Sequence, residues 1–240
     1  MSSSTEPSAT IRRSYAVGDV HGCCRTLEKM VEEALRLEKN DTLYLLGDYI
    51  DRGPDSKGVL DYLMQLSETG FDIRPLLGNH EEMLLQSAAG DDMSRRIWYF
   101  NGGFKTVQQF GVDAPTEIPP RYLDFLCKLP RVLSTDRYVL VHAGLDFSTP
   151  DPINDTSRND MLWERGTFVD TGRLGGRTLV TGHTTNSLSE IENSLMTGHI
   201  MLDNGCWTKS ETRFGNLVAL DMDARRLIVV KNCDSAAQPG

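Results

Sequence analysis

Short apolar runs that stop abruptly at glycine and a polar residue recur along this chain. Tyr15-Ala16-Val17 runs into Gly18-Asp19, Thr42-Leu43-Tyr44-Leu45-Leu46 into Gly47-Asp48, and residues 73–77 into Gly78-Asn79-His80. The second run is apolar at nearly every position, the pattern of a strand covered on both faces. Between the runs the period changes. Leu27, Met30, Val31, Ala34 and Leu35 recur at three-to-four spacing, which predicts a helix, and a second helix is expected over residues 55–67. Strands alternating with helices, each strand ending in glycine plus a polar side chain, predict an α/β sandwich with its site on the strand ends.

Residues 81–128 read differently. Met83-Leu84-Leu85, Ile97-Trp98-Tyr99-Phe100, Val107 with Phe110, and Tyr122-Leu123 with Phe125-Leu126 predict short helices divided by Gly and Pro. This is the pattern of a helical cap, about residues 83–130, inserted between strands, and Trp98, Tyr99 and Phe100 read as its core rather than as a base-stacking platform. Strands resume at 138–141 and 178–181, running into His142 and His183. Residues 217–221 and 227–230 predict a hairpin around Asp223-Ala224-Arg225, while Pro119-Pro120 and the polar stretch 148–160 read as loops. Residues 1–13, polar and rich in Ser and Thr at their start, read as a flexible lead-in to one catalytic domain over 14–235.

Composition narrows the class. Hydrophobic residues at 39% and charged residues at 25% are ordinary globular usage, which excludes disordered and fibrous architectures. No apolar run approaches the roughly 20 residues of a membrane helix, and the N-terminus has no apolar segment of a secretory signal. Five cysteines without paired spacing fit a reducing compartment, so a cytoplasmic location is expected. A net charge of -9 argues against nucleic-acid or anionic-membrane partners.

The histidines add chemistry. Four of the five, His21, His80, His142 and His183, stand just past a predicted strand end. Around them lie Asp19-x-His21-Gly22, Gly47-Asp48-x-x-Asp51-Arg52-Gly53, Gly78-Asn79-His80-Glu81, His142-Ala143-Gly144 and Gly182-His183-Thr184. Carboxylate, amide and imidazole donors without cysteine suit manganese or iron. A shared carboxylate can bridge two ions about 3.5–4 Å apart, which polarise a phosphoryl group.

In this order the motifs resemble those of the calcineurin-like metallophosphoesterases, and within them the phosphoprotein phosphatases in their compact bacterial and phage form. The likeness covers about residues 14–220. It implies a four-layer α-β-β-α sandwich with a small helical cap. It implies two divalent ions, manganese foremost, with iron, zinc or nickel as alternatives. Asp19 and His21 would hold the first ion, Asp48 would bridge, and Asn79, His142 and His183 would complete the second site, with Asn79 also reaching substrate. Arg52 would grip phosphate oxygens, as would Arg165 in Leu162-Trp163-Glu164-Arg165. His80 would be the general acid, oriented by Asp51, and the nucleophile a metal-bridging hydroxide rather than a Ser or Cys side chain. The implied activity is a serine/threonine protein phosphatase, extending to phosphotyrosine. The alternative is a symmetrical diadenosine tetraphosphatase, whose motifs are nearly the same. Expected partners are a phosphoprotein or a small phosphorylated substrate, with no nucleic acid and no membrane. An inactive binding scaffold is disfavoured because every one of these positions holds a competent residue.

The remaining candidates read plainly. Cys23 and Cys24 are small residues at a helix start, and Cys127, Cys206 and Cys233 are inert. His199 is structural or solvated, Glu81 and Glu82 read as helix-start charges although Glu81 belongs to the family motif, and Arg95-Arg96 and Arg225-Arg226 read as solvated pairs, with a substrate contact from the cap as the alternative for Arg95-Arg96. Asp203-Asn204-Gly205 is either a plain turn or a support or substrate loop near the metals.

Overall fold

The structure, a computed structural model, describes residues 12–166, 168–208 and 213–234. The expected flexible lead-in therefore falls outside the described residues except for Arg12 and Arg13. Arg13 is tied down, its Nε donating to Asp41 Oδ1 at 3.1 Å.

In chain order the elements are β1 (Ser14–Val17), α1 (Cys24–Lys29), β2 (Thr42–Leu45), α2 (Ser56–Glu68), β3 (Asp72–Pro75), α3 (Asn79–Ala88), α4 (Asp92–Trp98), α5 (Phe104–Phe110) and α6 (Pro120–Cys127). Then follow β4 (Val132–Ser134), β5 (Tyr138–Val141), α7 (Pro152–Asp155), α8 (Arg158–Trp163), β6 (Thr178–Thr181), α9 (Leu188–Ser194), β7 (His199–Met201), β8 (Asp203–Asn204), β9 (Asn216–Asp221) and β10 (Arg226–Lys231). One sheet has the order β10-β9-β1-β2-β3, with β8 paired to β9, and the other the order β4-β5-β6-β7. Strands β1, β2 and β3 run parallel, as do β5, β6 and β7, while the β9–β10 hairpin joins β1 antiparallel.

The pleat explains the layers, because alternate side chains of a strand face opposite ways. Ala16, Tyr44, Leu46, Tyr138, Leu140, Val180, Val218 and Leu220 meet in the cluster between the two sheets. Their strand neighbours Tyr15, Val17, Leu43 and Leu45 turn outward onto Leu27, Met30, Leu60 and Leu63 of the helices. On the other sheet Val139, Val141 and Leu179 turn outward onto Met161 and Leu174. The result is the expected four-layer sandwich, with both sheets covered on both faces.

The helical pattern at 27–35 contains a surprise. After α1 the chain makes a π turn over Met30–Ala34, whose wider winding shifts the phase, so Ala34 is exposed while Leu35 is buried. The third strand also ends early, at Pro75, which has no N–H to continue a ladder. Two expected loops hold helices. Pro120 opens α6 at a position where its missing N–H costs nothing, and the 148–160 stretch contains α7 and the start of α8, capped by Asp151 and Ser157. The helices expected between 81 and 128 are present as α3 to α6.

Candidate metal centre and active site

The loops after β1, β2, β3, β5 and β6 converge on one spot. Val20 and His21 both donate their N–H to the Asp48 carbonyl, at 3.1 and 2.8 Å, so the first two loops are bonded together. Asn79 and His80 open α3. A Cβ at Gly78 would overlap the Asp48 backbone, so only glycine lets the third loop approach this closely. Among the described residues seven non-glycine residues have a positive φ, and five of them are His21, Asp48, Asp51, Arg52 and His183. Such backbone is disfavoured for L residues, and its concentration here marks a site held by its surroundings.

Two groups of donor atoms gather within 4.8 Å: His21, Asp48 and His80, and Asp48, His142 and His183. Asp48 belongs to both. Asn79 Oδ1 lies 2.8 Å from His142 Nε2 and 3.1 Å from His183 Nδ1. Asp19 stands at the edge, its carboxylate accepting the His183 N–H at 3.1 and 3.0 Å.

These residues fit divalent cations on the chemistry of the donors. His142 Nδ1 donates to the Leu46 carbonyl at 2.8 Å and His21 Nδ1 to the Ile50 carbonyl at 2.9 Å. Each bond fixes the tautomer and leaves Nε2 as a bare lone pair, the arrangement that orients a ligating histidine. Burial lowers the pKa of His21 and of His142, and burial followed by His142 pushes His183 down to about 3. All three are thus neutral ligands. Burial, then the carboxylates of Asp203 and Asp48, push Asp19 well above the usual carboxylate range. Negative charge and lone pairs accumulate here, and Arg52 Nη1 donates to His21 Nε2 at 2.9 Å.

His80 is arranged otherwise. Its Nδ1 lies 2.6 Å from Asp51 Oδ2, and Nε2 lies 3.9 Å from Asp48 Oδ2. Burial alone would lower this histidine, but Asp48 and the bond to Asp51 outweigh it and raise its pKa. A buried histidine whose protonated form is favoured by neighbouring carboxylates is suited to donating a proton.

In front of the centre lies a cleft of about 540 Å³ lined by Arg52, Phe100, Gly102, Arg165, Thr184 and Trp207 among others. Arg165 Nη1 reaches Thr184 Oγ1 at 3.5 Å. Phe100, expected in the core, is 93% exposed on the cleft wall, whereas Trp98 is fully buried as expected. Two positions past Trp98 on the same helical winding, Phe100 points to the opposite side, while Tyr99 packs against the core.

Several residues at the site escaped the sequence reading. Glu81 is no solvated helix-start charge: its two oxygens accept the N–H groups of Asp48, Tyr49, Ile50 and Gly78 at 2.8–3.2 Å. Its place three residues after Gly78, from which a Glu side chain can reach back to the N-cap N–H, was the available signal. Trp207 lies under the Arg52 guanidinium at 5.1 Å. Asp203, in β8, accepts from Thr185 Oγ1 at 2.7 Å and from Gly205 N at 2.6 Å and adds its charge beside Asp19, so the 203–205 turn is a support as well as a turn. His199 is structural, its Nε2 2.8 Å from Thr181 Oγ1. Burial, then the neighbouring Glu28, pushes the Cys24 thiol up to about 12 and leaves it unreactive.

The likeness to known proteins extends beyond the site. The family model for calcineurin-like phosphoesterases matches residues 12–216. A serine/threonine-protein phosphatase 1 of Salmonella typhimurium is 31% identical over 180 residues, 72% of this chain and 79% of that protein. A symmetrical bis(5'-nucleosyl)-tetraphosphatase of Vibrio cholerae is 33% identical over 132 residues, 55% of this chain, and the match spans only 44% of that relative's length. Among solved structures, one provisionally assigned as a diadenosine tetraphosphatase has a TM-score of 0.65 at 23% identity, covering 96% of this chain and 97% of its own. The cold-active protein-tyrosine phosphatase of a psychrophilic Shewanella has a TM-score of 0.60 at 18% identity, covering 91% and 77%. These two share the fold. Among the described residues no helix is long and apolar enough to cross a membrane. On the family match over most of its length, the chain belongs to the calcineurin-like phosphoesterases.

Proposed function

We propose that this protein is a dinuclear-metal phosphohydrolase acting on phosphomonoesters, above all phosphoserine and phosphothreonine in proteins. The observation that carries the reading is Asp48, the one residue common to both groups of donor atoms. Asp19, His21 and Asp48 would hold one ion; Asp48, Asn79, His142 and His183 the other. Manganese suits this oxygen and imidazole set. Two such ions supply the positive charge that polarises a phosphoryl group and acidifies the attacking water.

The protein's own residues do the rest. Arg52 and Arg165, both on the cleft, grip the phosphate oxygens with their forks of donors. Asp51 holds His80 Nδ1–H, leaving the Nε2 proton for the departing alkoxide. Residues 83–130 act as a cap that forms one wall of the cleft through Phe100. The protein-phosphatase reading is supported by the Salmonella relative, which aligns over 79% of its own length.

A second reading, a symmetrical dinucleotide tetraphosphatase, is favoured by the Vibrio cholerae relative and by the aromatic walls Phe100 and Trp207, which could stack a base. The test is kcat/KM of the manganese-loaded protein on phosphoserine and phosphothreonine peptides and on diadenosine tetraphosphate. A preference for peptides of about 10²-fold, about 2.7 kcal/mol of discrimination, is the expected result. The reverse preference would replace the first reading by the second.

A further inference from the structure

The helical insert touches the proton-donating pair directly. Asp51 is fully buried, and each of its polar side-chain atoms is bound. Oδ2 accepts from His80 Nδ1 at 2.6 Å and from Trp98 Nε1 at 2.7 Å; Oδ1 accepts from Thr106 Oγ1 at 2.6 Å. The Asp51 N–H donates to Ser56 Oγ at 2.9 Å and lies 3.2 Å from Thr106 Oγ1. Ser56 Oγ and Thr106 Oγ1 are 3.0 Å apart. Thr106 has one hydroxyl proton and Asp51 takes it, so Ser56 is the donor in that last bond. Trp98 and Thr106 are both fully buried, and the indole N–H and the threonine hydroxyl proton both go to Asp51.

The insert is bent for this purpose. Trp98 closes α4 and Thr106 lies in α5, and on one unbroken helix they would stand about 12 Å apart along the axis. Gly102, at φ 111°, breaks the helix between them, so both side chains reach one carboxylate. A Cβ at Gly103 would fall inside the Trp98 ring, and one at Gly102 would press on the Arg52 N at 3.1 Å. The next turn of α5 clasps the same loop: Lys105 Nζ donates to the Arg52 carbonyl at 3.2 Å, and Gln109 donates to the Gly53 carbonyl at 3.0 Å while accepting the Ser56 N–H at 2.6 Å.

We infer that Trp98 and Thr106 are positioning residues for the acid step: they fix the Asp51 carboxylate, which in turn fixes the His80 ring. This rests on the reading of His80 as the general acid. Asp51 lies in a loop whose backbone is disfavoured at both Asp51 and Arg52, so its carboxylate needs anchors outside the loop. Two neutral donors from the insert provide them in a dry setting where water does not substitute. The insert then acts on chemistry as well as on access to the cleft.

The test uses the full-length, manganese-loaded protein and compares leaving groups. A phosphoserine peptide needs its alkoxide protonated; p-nitrophenyl phosphate does not. Trp98→Phe keeps the ring and removes the N–H, and Thr106→Val keeps the shape and removes the hydroxyl. Each is expected to lower kcat on the peptide about 10- to 100-fold. On p-nitrophenyl phosphate the loss should stay within about threefold, with KM and metal content unchanged. Thr106→Ser should restore peptide turnover. Should Trp98→Phe fail to fold, the Thr106 pair decides alone. Equal losses on both substrates, or none on either, would overturn the inference. His80→Asn run in parallel separates the two levels. If it shows the leaving-group split and the insert variants do not, only the positioning role falls. If His80→Asn shows no split, the acid assignment falls and the inference with it.

Discussion

The two sheets contribute unequally to the site. From the six-stranded sheet, three successive loops bring Asp19, His21, Asp48, Asp51, Arg52, Asn79 and His80, and four of the five positive-φ site residues. From the four-stranded sheet come His142 and His183 at strand ends, with Arg165 on a connecting segment. The first sheet supplies charge, strain and the proton donor; the second supplies neutral imidazoles that complete the ring of donors. What this teaches is that the halves are not interchangeable: loss in the first should disable chemistry, and loss in the second should first disable metal retention.

The sharpest way to break the comparison is at the residue both halves use. Asp48→Asn is expected to release both metal equivalents and to lower kcat/KM for p-nitrophenyl phosphate by about 10³-fold or more, about 4 kcal/mol. Metal analysis beside the assay checks it, and a variant retaining two equivalents would remove Asp48 from the shared position. His80→Asn comes next, with about 10²- to 10⁴-fold off kcat on phosphoserine peptides. Both metals should be retained, because the change lies on the chemical side of the divide.

Glu81→Gln tests how the first sheet bears its strain. The variant keeps one accepting oxygen but turns an NH2 group onto two of the four amide donors. Stability should fall by about 2–3 kcal/mol, read from the midpoint of urea unfolding. A neutral result would mean the 48–50 turn holds itself.

The last test belongs to the second sheet. Burial pushes His199 down to about 4. Below pH about 6.5 the unfolded chain takes up a proton that the folded protein refuses until about pH 4. The histidine therefore costs stability as pH falls through that window, by at most about 3 kcal/mol. His199→Asn should flatten this acid-side decline in melts run from pH 7.5 to 4.5 relative to the native protein, while the metal ligands titrate alike in both. Parallel declines would show that His199 titrates normally.

Much of this was legible in the residues. The strand ends, the order of motifs and the hairpin at 217–230 follow from period and from glycine placement, which are local. The apolar pattern alone predicts an α/β sandwich; its four layers come with the resemblance that the motifs carry. What was not legible depends on partners distant in sequence. Nothing near Thr106 announces a bond to Asp51, and Glu81 reads as a helix-start charge until the β2 loop lies over it. The π turn at Met30–Ala34 keeps the helical spacing of its neighbours while moving Ala34 into solvent, so periodicity alone misplaces it. Phe100 was misread because consecutive aromatic residues do not share one helix face: two positions past Trp98 it points about 200° round the axis, away from the core. The helix α9 had a local signal, Ser187 followed by Glu190 in a capping box, yet its short apolar pattern hid it.

The bonds that tie His142 to the Leu46 carbonyl and the His183 N–H to Asp19 run from one sheet to the other. They lie at the rim of a hydrophobic seam shared by both sheets. A molecule stitched in this way has no jaw. Its halves cannot swing apart to admit a ligand or to discharge a product without unpicking the groups that would perform the reaction. Traffic must pass along side chains and the outer helices, so a remote effector would find its handle on the insert near Phe100 and not in any hinge between the sheets.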